Sequence, residues 1–368
     1  MTKIKQNIIS LHGSYFGNNY GDILLVNLFA KWIRNSNPDI VINMPLGSRS
    51  TAPDLEYDMT GIMNLFRSKA LIFCGGGYFG EKPKRHQRWA IRNFLRHGII
   101  GLIAVLFHIP FAIIGVEFGP ISSCWFRRFC LWLARHASVI VVRNEESLAF
   151  LSSHGIQNAI LSADAVLTLS DEIKPNTEIG GRKKILLHLP QNEDSLLPLI
   201  KIIVEKAKDV FPEFDLILIN DDSRTHWFDN PSLAPARAYL DKEGVNYAVQ
   251  PYKTCKELIH TINSSQYIIT TKLHVGITSL ALGKNTFSVW THPKTPRLHK
   301  MANNEHNCVA LSAIDSNIGS RLESFFRSSN YVLNQRLIEL AYGNRIELEH
   351  FLHTTLHSLE QNPSQWKK

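Results

Sequence analysis

The strongest constraint on the fold of this chain is an alternation of short apolar runs with helical patterns. The runs carry apolar residues at successive positions, as expected for parallel strands covered by helices on both faces. In the first half of the chain they predict strands at 8–12, 71–74, 111–116 and 139–142. Helical patterns at 22–33 and 125–136 lie between them. This alternation predicts a doubly wound α/β sheet.

The alternation restarts after a polar segment, 170–184, that is rich in Pro, Gly and charged residues and is typical of a linker. Strands are predicted at 185–189, 216–219, 247–249, 267–271 and 286–289. Helices are predicted at 200–210 and 258–263, and over most of 322–359. We therefore predict two Rossmann-like doubly wound domains facing a central cleft. Their predicted bounds are 1–169 for the acceptor-side domain, 170–184 for the linker, 185–320 for the donor-side domain and 321–368 for C-terminal helices.

Composition narrows the class of partner. A chain of 368 residues suits two domains, and a net charge of +8 suggests an anionic partner such as a phosphorylated small molecule or an anionic membrane. No compact basic and aromatic motif is present, so nucleic acid is not expected as a partner. The five cysteines form no CxxC pair, and the N-terminus lacks a signal-peptide pattern. We expect reduced thiols and a cytoplasmic location.

One apolar stretch, 98–116, is long enough to resemble a membrane span. His108 and Pro110 interrupt it, and the proline would break a helix at that point. We interpret the stretch as a buried helix that ends near Leu106, followed by the strand at 111–116.

Two glycine-containing motifs follow predicted strands. In the first, residues 17–22, a turn leads into a helix whose N-terminus favours anions, with Asn19 beside it. Asp22 either caps that helix or faces an acceptor hydroxyl. In the second, Gly75, Gly76 and Gly77 form either a tight turn with positive φ or a floor on which a substrate approaches the backbone.

Two further positions carry charge at predicted strand ends. Glu117 follows the strand at 111–116 and is either an acid or base or a solvated loop residue. Arg143 follows the next strand; its planar guanidinium suits a carboxylate or phosphate, and the alternative is a surface salt bridge with Glu145 or Glu146.

The most specific motif is Lys272-Leu273-His274, which lies between the strand at 267–271 and a helix predicted at 274–282. Gly283 falls where a helix C-cap is expected. Lys272 and His274 are therefore predicted to lie beside a helix N-terminus at the edge of a sheet where ligands bind. Histidine also suits proton transfer near neutral pH.

A basic run at 81–89 continues to Arg92 and Arg96 and precedes the most apolar part of the chain. It is either a solvated helix face or a patch that contacts anionic lipid or a lipid-linked acceptor, and 125–128 would extend it. No HExxH motif or Cys/His cluster is present, so no metal site is expected.

Taken in order, these motifs resemble the polysaccharide pyruvyl transferase family over about residues 10–290. The resemblance implies a fold like that of two-domain (GT-B-like) glycosyltransferases. It also implies phosphoenolpyruvate as co-substrate, no other cofactor, and an oligosaccharide or lipid-linked saccharide as acceptor. The family has an Arg where this chain has Lys272, which keeps the charge but loses the bidentate fork. It tends to have Asp-Pro where this chain has Asp164-Ala165.

The resemblance implies that Arg143 and the Lys272-Leu273-His274 motif hold the donor in one positively charged pocket. His274 is then the general acid or the phosphate partner, and Asp22 or Glu117 accepts the hydroxyl proton. Asn19 and the glycines at 75–77 are expected to bind substrate. Two alternatives stay open: a nucleotide-sugar glycosyltransferase of the same architecture, and a non-catalytic binding subunit of a polysaccharide pathway. A peripheral contact with the inner face of an anionic membrane is also predicted.

Overall fold

The structure, a computed structural model, describes residues 7–50, 52–80, 86–176, 181–188, 193–222, 233–313, 317–328 and 331–361. These residues form two compact units. The first unit takes the residues up to Gly17, Asp22–Ala165 and those from Glu339 onward. The second takes Asn18–Gly21 and Val166–Ile338. Each contains one parallel sheet with helices, so the predicted class of two Rossmann-like α/β domains is confirmed. The central cleft stays a prediction.

The sheet of the first unit has seven parallel strands. In chain order these are β1 (Asn7–His12), β2 (Ile40–Met44), β3 (Met59–Thr60), β4 (Ala70–Cys74), β5 (Phe111–Val116), β6 (Val139–Val142) and β7 (Ile160–Leu161). Their order across the sheet is β3-β2-β1-β4-β5-β6-β7. The helices that begin in this half of the chain are α1 (Tyr20–Ser36), α2 (His86–Asn93), α3 (Ile99–Leu106), α4 (Cys124–His136) and α5 (Glu145–Ser153).

The sheet of the second unit has six parallel strands. These are β8 (Lys183–His188), β9 (Phe214–Ile219), β10 (Asn246–Gln250), β11 (Tyr267–Thr270), β12 (Asn285–Trp290) and β13 (Cys308–Ala310). Their order is β10-β9-β8-β11-β12-β13. The remaining helices are α6 (Leu169–Glu172), α7 (Glu193–Val210), α8 (Ala234–Lys242), α9 (Cys255–Asn263), α10 (Leu273–Ala281), α11 (Lys294–Met301), α12 (Asn317–Arg327) and α13 (Gln335–Gln361).

Burial explains why the central strands were visible in the sequence. Every residue of β4 and β5 is buried, as two-faced coverage of a parallel sheet requires. The predicted strands at 8–12, 111–116 and 139–142 are confirmed within a residue of their ends. The strands β3, β7 and β13, of two or three residues each, were not predicted, because such short strands carry little periodic signal, and β2 was also not predicted. Helix α9 begins at Cys255, before the predicted 258, because the Thr254 hydroxyl accepts a hydrogen bond from the Glu257 N–H at 3.2 Å.

The compact units differ from the predicted bounds at three places. The first unit ends at Ala165 and not at 169, and Asn18–Gly21 belongs to the second unit. The C-terminal residues from Glu339 pack in the first unit, where the Asn344 side chain donates to the Ala163 carbonyl at 2.9 Å. Within the predicted linker, residues 177–180 lie outside the described residues, α6 precedes them and β8 follows.

The helix that covers the first sheet runs from His86 to Leu106 through a single π-helical turn, Phe94–Gly98. It is the one helix among the described residues that is long and apolar enough to cross a membrane, and 39% of its apolar window is buried. The predicted end near Leu106 is confirmed, but the prediction of a buried helix was wrong for one face. Ala90, Ile100 and Ala104 lie in the core, whereas Leu106 is exposed. The difference arises because only one face of the helix packs against the core of the first unit.

Candidate active site

The second sheet has its topological switch point between β8 and β11. The chain lays down β8, β9 and β10 outward and then returns to place β11 beside β8. In open α/β sheets, ligands bind at the carboxyl ends of strands at such a point. His188 is the last residue of β8, and Lys272 follows β11 after one residue, Thr271. The Lys272 motif therefore lies where the sequence predicted, at the carboxyl edge of the second sheet.

Three side chains from three strand ends meet at this switch point. The Asp221 carboxylate, just after β9, lies 3.1 Å from His188 Nε2 and 3.3 Å from Lys272 Nζ. The other imidazole nitrogen of His188 lies 3.0 Å from the Thr271 hydroxyl. His188 and Asp221 are buried, and the Lys272 side chain is 38% exposed. The Lys272 ammonium is thus a partly exposed cation, and the His188 and Asp221 side chains that hold it are buried and hydrogen-bonded to each other.

Electrostatics keep the Asp221 carboxylate ionised. Burial by itself would raise the pKa of Asp221, but the hydrogen bond and charge of His188 and the charge of Lys272 outweigh it. The pKa is held well below its usual range. Asp221 therefore provides a fixed negative charge that orients Lys272 across the ordinary pH range.

Helix α10 places its first residues at the same edge. Lys272 is in the N-cap position with extended backbone, and its N–H donates to the Thr270 hydroxyl at 3.0 Å. His274 lies in the first turn of α10 and is half-buried. The helix ends as predicted: Gly283 follows its last turn with a φ of +65°, the left-handed geometry of a helix C-terminus. The positive, N-terminal end of the α10 dipole therefore lies at the segment that carries Lys272 and His274.

The glycine motif at 17–22 contributes to this edge, because Asn18–Gly21 packs in the second unit. The Tyr20 N–H donates to the Asp221 carbonyl at 2.9 Å, and the Asn19 amide donates to the Asp221 carboxylate at 3.4 Å. The buried Tyr20 hydroxyl lies 2.8 Å from the Thr278 hydroxyl on α10. Asn19 thus lies beside the Lys272 cluster, although the predicted domain bounds had put Asn19 and Lys272 in different domains.

Gly21 is required by its contact with His274. A Cβ built at Gly21 would overlap the imidazole ring and the Cβ of His274. The absence of a side chain at position 21 therefore sets how close the start of α1 comes to the first turn of α10.

The first unit carries a separate buried cluster around Arg143. The guanidinium lies 3.1 Å from the Glu117 carboxylate and 2.7 Å from the Asp164 carboxylate. Arg143, Glu117 and Asp164 are all buried. The alternative of a surface salt bridge with Glu145 or Glu146 was wrong, because the carboxyl ends of β5, β6 and β7 bring these three residues together inside the unit.

The charges of the cluster stabilise one another. Burial by itself would lower the pKa of Arg143, but the charges of Asp164 and Glu117 more than offset it and raise that pKa. Two carboxylates on one guanidinium leave a formal charge of −1 when all are ionised. The Arg143 fork is thus occupied by Glu117 and Asp164, and it holds Glu117 in one orientation.

The glycines at 75–77 join β4 to this cluster. Gly75 and Gly76 have φ values of +54° and +86°, and a Cβ at Gly75 would lie 2.9 Å from Leu25. The Gly76 carbonyl accepts the Glu117 N–H at 2.9 Å. The tight-turn interpretation therefore accounts for Gly75 and Gly76, which are buried, whereas Gly77 is partly exposed.

Asp22 lies inside the first turn of α1, which begins at Tyr20, so the interpretation as an N-cap was wrong. Its charge and that of Arg143 both act on the buried Tyr78 hydroxyl, whose pKa is raised, chiefly by burial.

Several polar residues of these clusters were missed. His188, Asp221 and Tyr20 were not singled out, and Asp164 was noted only as a departure from a family pattern. The available signal was the position of His188 directly after the apolar residues 185–187 and of Asp221 two residues after the apolar run 216–219, whereas Tyr20 follows no apolar run. The expectation that Arg143 and the Lys272 motif share a pocket stays a prediction, as do the substrate-binding and catalytic roles. Among the described residues, no three His, Cys, Asp or Glu side chains group together as metal ligands.

The sequence matches a family model described as polysaccharide pyruvyl transferase over residues 19–293. This span covers most of the chain and contains the motifs at 75–77, 143 and 272–274 and the last four residues of the motif at 17–22. The chain belongs to the polysaccharide pyruvyl transferase family. As a member of this family it is a transferase, and its activity belongs to polysaccharide pyruvylation in general. No curated protein matches the chain in sequence.

Solved structures of similar fold include UDP-GlcNAc 2-epimerases. This pyruvyl transferase family member is 13% identical to the enzyme from Neisseria meningitidis bound to UDP-GlcNAc, with a TM-score of 0.60 over 94% of this chain and 99% of that one. It is 12% identical to the enzyme from Methanocaldococcus jannaschii, with a TM-score of 0.59 over 95% and 99%. At such identities the likeness shows the fold alone, and that fold is the predicted GT-B-like class.

Proposed function

We propose that the chain transfers the pyruvyl group of phosphoenolpyruvate to a sugar of a surface or extracellular polysaccharide. The observation that carries the proposal is the pairing of a family match over 19–293 with Lys272 and His274 at the N-terminus of α10. A partly exposed ammonium held by Asp221 and a helix N-terminus both suit an anionic donor.

The proposed reaction makes a cyclic ketal. The methylene carbon of phosphoenolpyruvate gains a proton and becomes a methyl group, and one sugar hydroxyl bonds to the central carbon. The phosphate then leaves with its bridging oxygen, and a second hydroxyl of the same sugar bonds to the same carbon. One hydroxyl proton replaces the proton given to the methylene carbon, and the other leaves with phosphate, so atoms and charge balance.

Each unit supplies different groups in this proposal. In the second unit, Lys272 and the first turn of α10 bind the donor, with Leu273 and Asn19 beside them. His274 gives the proton to the methylene carbon or binds the phosphate. In the first unit, Glu117 accepts a proton from the acceptor hydroxyl, with Arg143 as its positioning residue and Asp22 as the second carboxylate. The acceptor is an oligosaccharide or a lipid-linked saccharide, and the reaction takes place in the cytoplasm.

The proposal is tested by turnover of phosphoenolpyruvate with candidate glycans. Phosphate release should depend on the glycan, and mass spectrometry should show the glycan gaining one pyruvate less one water. His274→Ala should abolish both while leaving the melting temperature unchanged. The exposed His260 of the same unit is the matched control, and His260→Ala should retain activity.

Two results would contradict the proposal. Full turnover in His274→Ala would remove His274 from the mechanism. Thermal stabilisation by nucleotide sugars, with none by phosphoenolpyruvate, would favour the glycosyltransferase alternative, which the GT-B-like fold also fits.

A further inference from the structure

One face of the helix from His86 to Leu106 exposes large apolar side chains. Ile91 is 54% exposed, Leu95 is 57% exposed and Leu106 is 63% exposed. All three are exposed whereas Ala90, Ile100 and Ala104 are buried, so they lie on the side of the helix that the protein leaves uncovered. The opposite side packs against the core of the first unit. The helix is therefore apolar on both sides, and only one side is covered by the protein.

The apolar surface extends beyond this helix. Phe107 lies edge-on to Phe66, with ring centroids 4.6 Å apart, and both rings are exposed. Met63, one turn before Phe66 in a 3₁₀ helix, is 71% exposed. Near the middle of the helix, the Trp125 ring lies edge-on to the Phe94 ring, with centroids 5.7 Å apart. Seven of the eleven exposed large apolar side chains of the described residues lie on these segments, so the exposure is concentrated and not scattered.

The same helix carries a row of arginines beside the apolar face. Arg88, Arg92 and Arg96 recur at intervals of four residues and are exposed. The Arg92 guanidinium lies over the Trp89 ring at 4.3 Å. Between Glu81 and Glu117 the sequence contains no acidic residue. Basic charge without acidic charge, next to exposed aliphatic and aromatic groups, is complementary to an anionic lipid surface.

Contacts on the covered side argue against a transmembrane placement of this helix. The Asn93 side chain donates to the Tyr78 carbonyl at 2.8 Å, and the His97 ring stacks on Tyr78 at 4.2 Å. His97 also lies 3.0 Å from His12 Nε2. A helix crossing a bilayer would lose these contacts and would expose their polar atoms to hydrocarbon. The helix therefore has one face in the fold and one face for an interface.

We propose that this surface, defined by Met63, Phe66, Ile91, Leu95, Leu106, Phe107 and Trp125 with the adjacent Arg88, Arg92 and Arg96, docks in the interface of an anionic lipid bilayer. The apolar side chains insert at the boundary between headgroups and acyl chains, and the arginines contact lipid phosphates. The docking is peripheral and reversible. It is independent of the chemistry proposed above, since the residues involved lie outside both polar clusters.

The test uses the full chain and vesicles of phosphatidylcholine with or without phosphatidylglycerol. Co-sedimentation should require phosphatidylglycerol and weaken as salt rises, because the charge contribution is screened. The double variant Ile91→Glu/Leu95→Glu should lower the affinity for vesicles with phosphatidylglycerol about tenfold or more. The reason is that full burial of one aliphatic side chain raises an affinity by more than about tenfold. Val332→Glu, at an exposed apolar residue elsewhere, is the control and should bind normally.

Each other outcome overturns the proposal. If wild-type protein sediments with neither kind of vesicle, the surface does not dock on a bilayer. If Ile91→Glu/Leu95→Glu binds vesicles as well as wild type does, the protein docks through another surface. Conversion of a dimer to a monomer by the same variant, without vesicle binding, would assign the surface to a second copy of the chain. The melting temperature of the variant shows that it is folded, and vesicle binding is read without any turnover, so a failure here leaves the pyruvyl transfer proposal untouched.

Discussion

Gly21 and His274 are in contact, and the imidazole fills the space that a side chain at position 21 would need. The two residues are far apart in the chain, yet both belong to the second compact unit. The position of the predicted acid is therefore set by a glycine at the start of α1. This relationship makes Gly21 a positioning residue for His274.

Gly21→Ala should lower the kcat of pyruvyl transfer. The factor of this decrease should be at least as large as the factor by which the KM for phosphoenolpyruvate rises. The added methyl would push the imidazole away from its present position, and a misplacement of about 1 Å costs on the order of a hundredfold in rate. The measurement is kcat and KM by phosphate release. Gly276→Ala is the matched control, because a Cβ there would lie 3.5 Å from its nearest neighbour, an ordinary contact. Equal activity of both variants would show that Gly21 does not position His274.

Arg143→Met should destabilise the first unit strongly. It would leave the carboxylates of Glu117 and Asp164 buried without their cation, and breaking a buried pair costs about 3–5 kcal/mol. Urea unfolding measures the loss of unfolding free energy. Arg34→Met is the control, because its bridges to Glu56 and Asp58 are exposed and should contribute less than about 1 kcal/mol. A similar small loss in both variants would contradict the buried triad.

Asp221→Asn should lower the free energy of unfolding by about 1.5–3 kcal/mol at pH 7, the range for hydrogen bonds to charged groups. The folded pKa of Asp221 lies below its unfolded value of about 4. Its contribution is therefore present above pH 4 and is lost as pH falls through the folded pKa. The difference between variant and wild type should shrink below pH 4, which unfolding at several pH values would show. Glu323→Gln, at an exposed helix pair, should change little at any pH. A difference between Asp221→Asn and wild type that is constant with pH would contradict a lowered pKa.

Acid should destabilise the first unit through His12. Burial lowers the pKa of His12 to about 3, and its nitrogens lie 2.8 Å from the Tyr15 hydroxyl and 3.0 Å from His97. The unfolded chain binds a proton near pH 6.5 that the folded chain rejects. Stability is therefore complete above pH 6.5 and falls as pH drops toward 3.

The variant that checks this is His12→Gln. In it, the slope of unfolding free energy against pH between 6.5 and 4 should decrease by up to about 1.4 kcal/mol per pH unit. Urea unfolding across that range gives the slope, and His260→Gln, at an exposed histidine, should leave it unchanged. An unaltered slope in His12→Gln would mean that His12 is protonated in the folded protein.

Local patterns in the sequence were enough for the central strands, for some of the polar residues that follow them, such as Arg143 and Lys272, and for the order of motifs that marks the family. The buried strand β5 is visible in the sequence because its own residues are apolar, and the end of α10 is visible because Gly283 follows it. Both features depend only on residues that are close together in the chain. The meeting of His188, Asp221 and Lys272 depends instead on strand order, which places β8 between β9 and β11. The same holds for Arg143 with Glu117 and Asp164. Which strand ends become neighbours, and which unit receives Asn18–Gly21, is decided by packing between residues far apart in sequence, and no local periodicity records that choice.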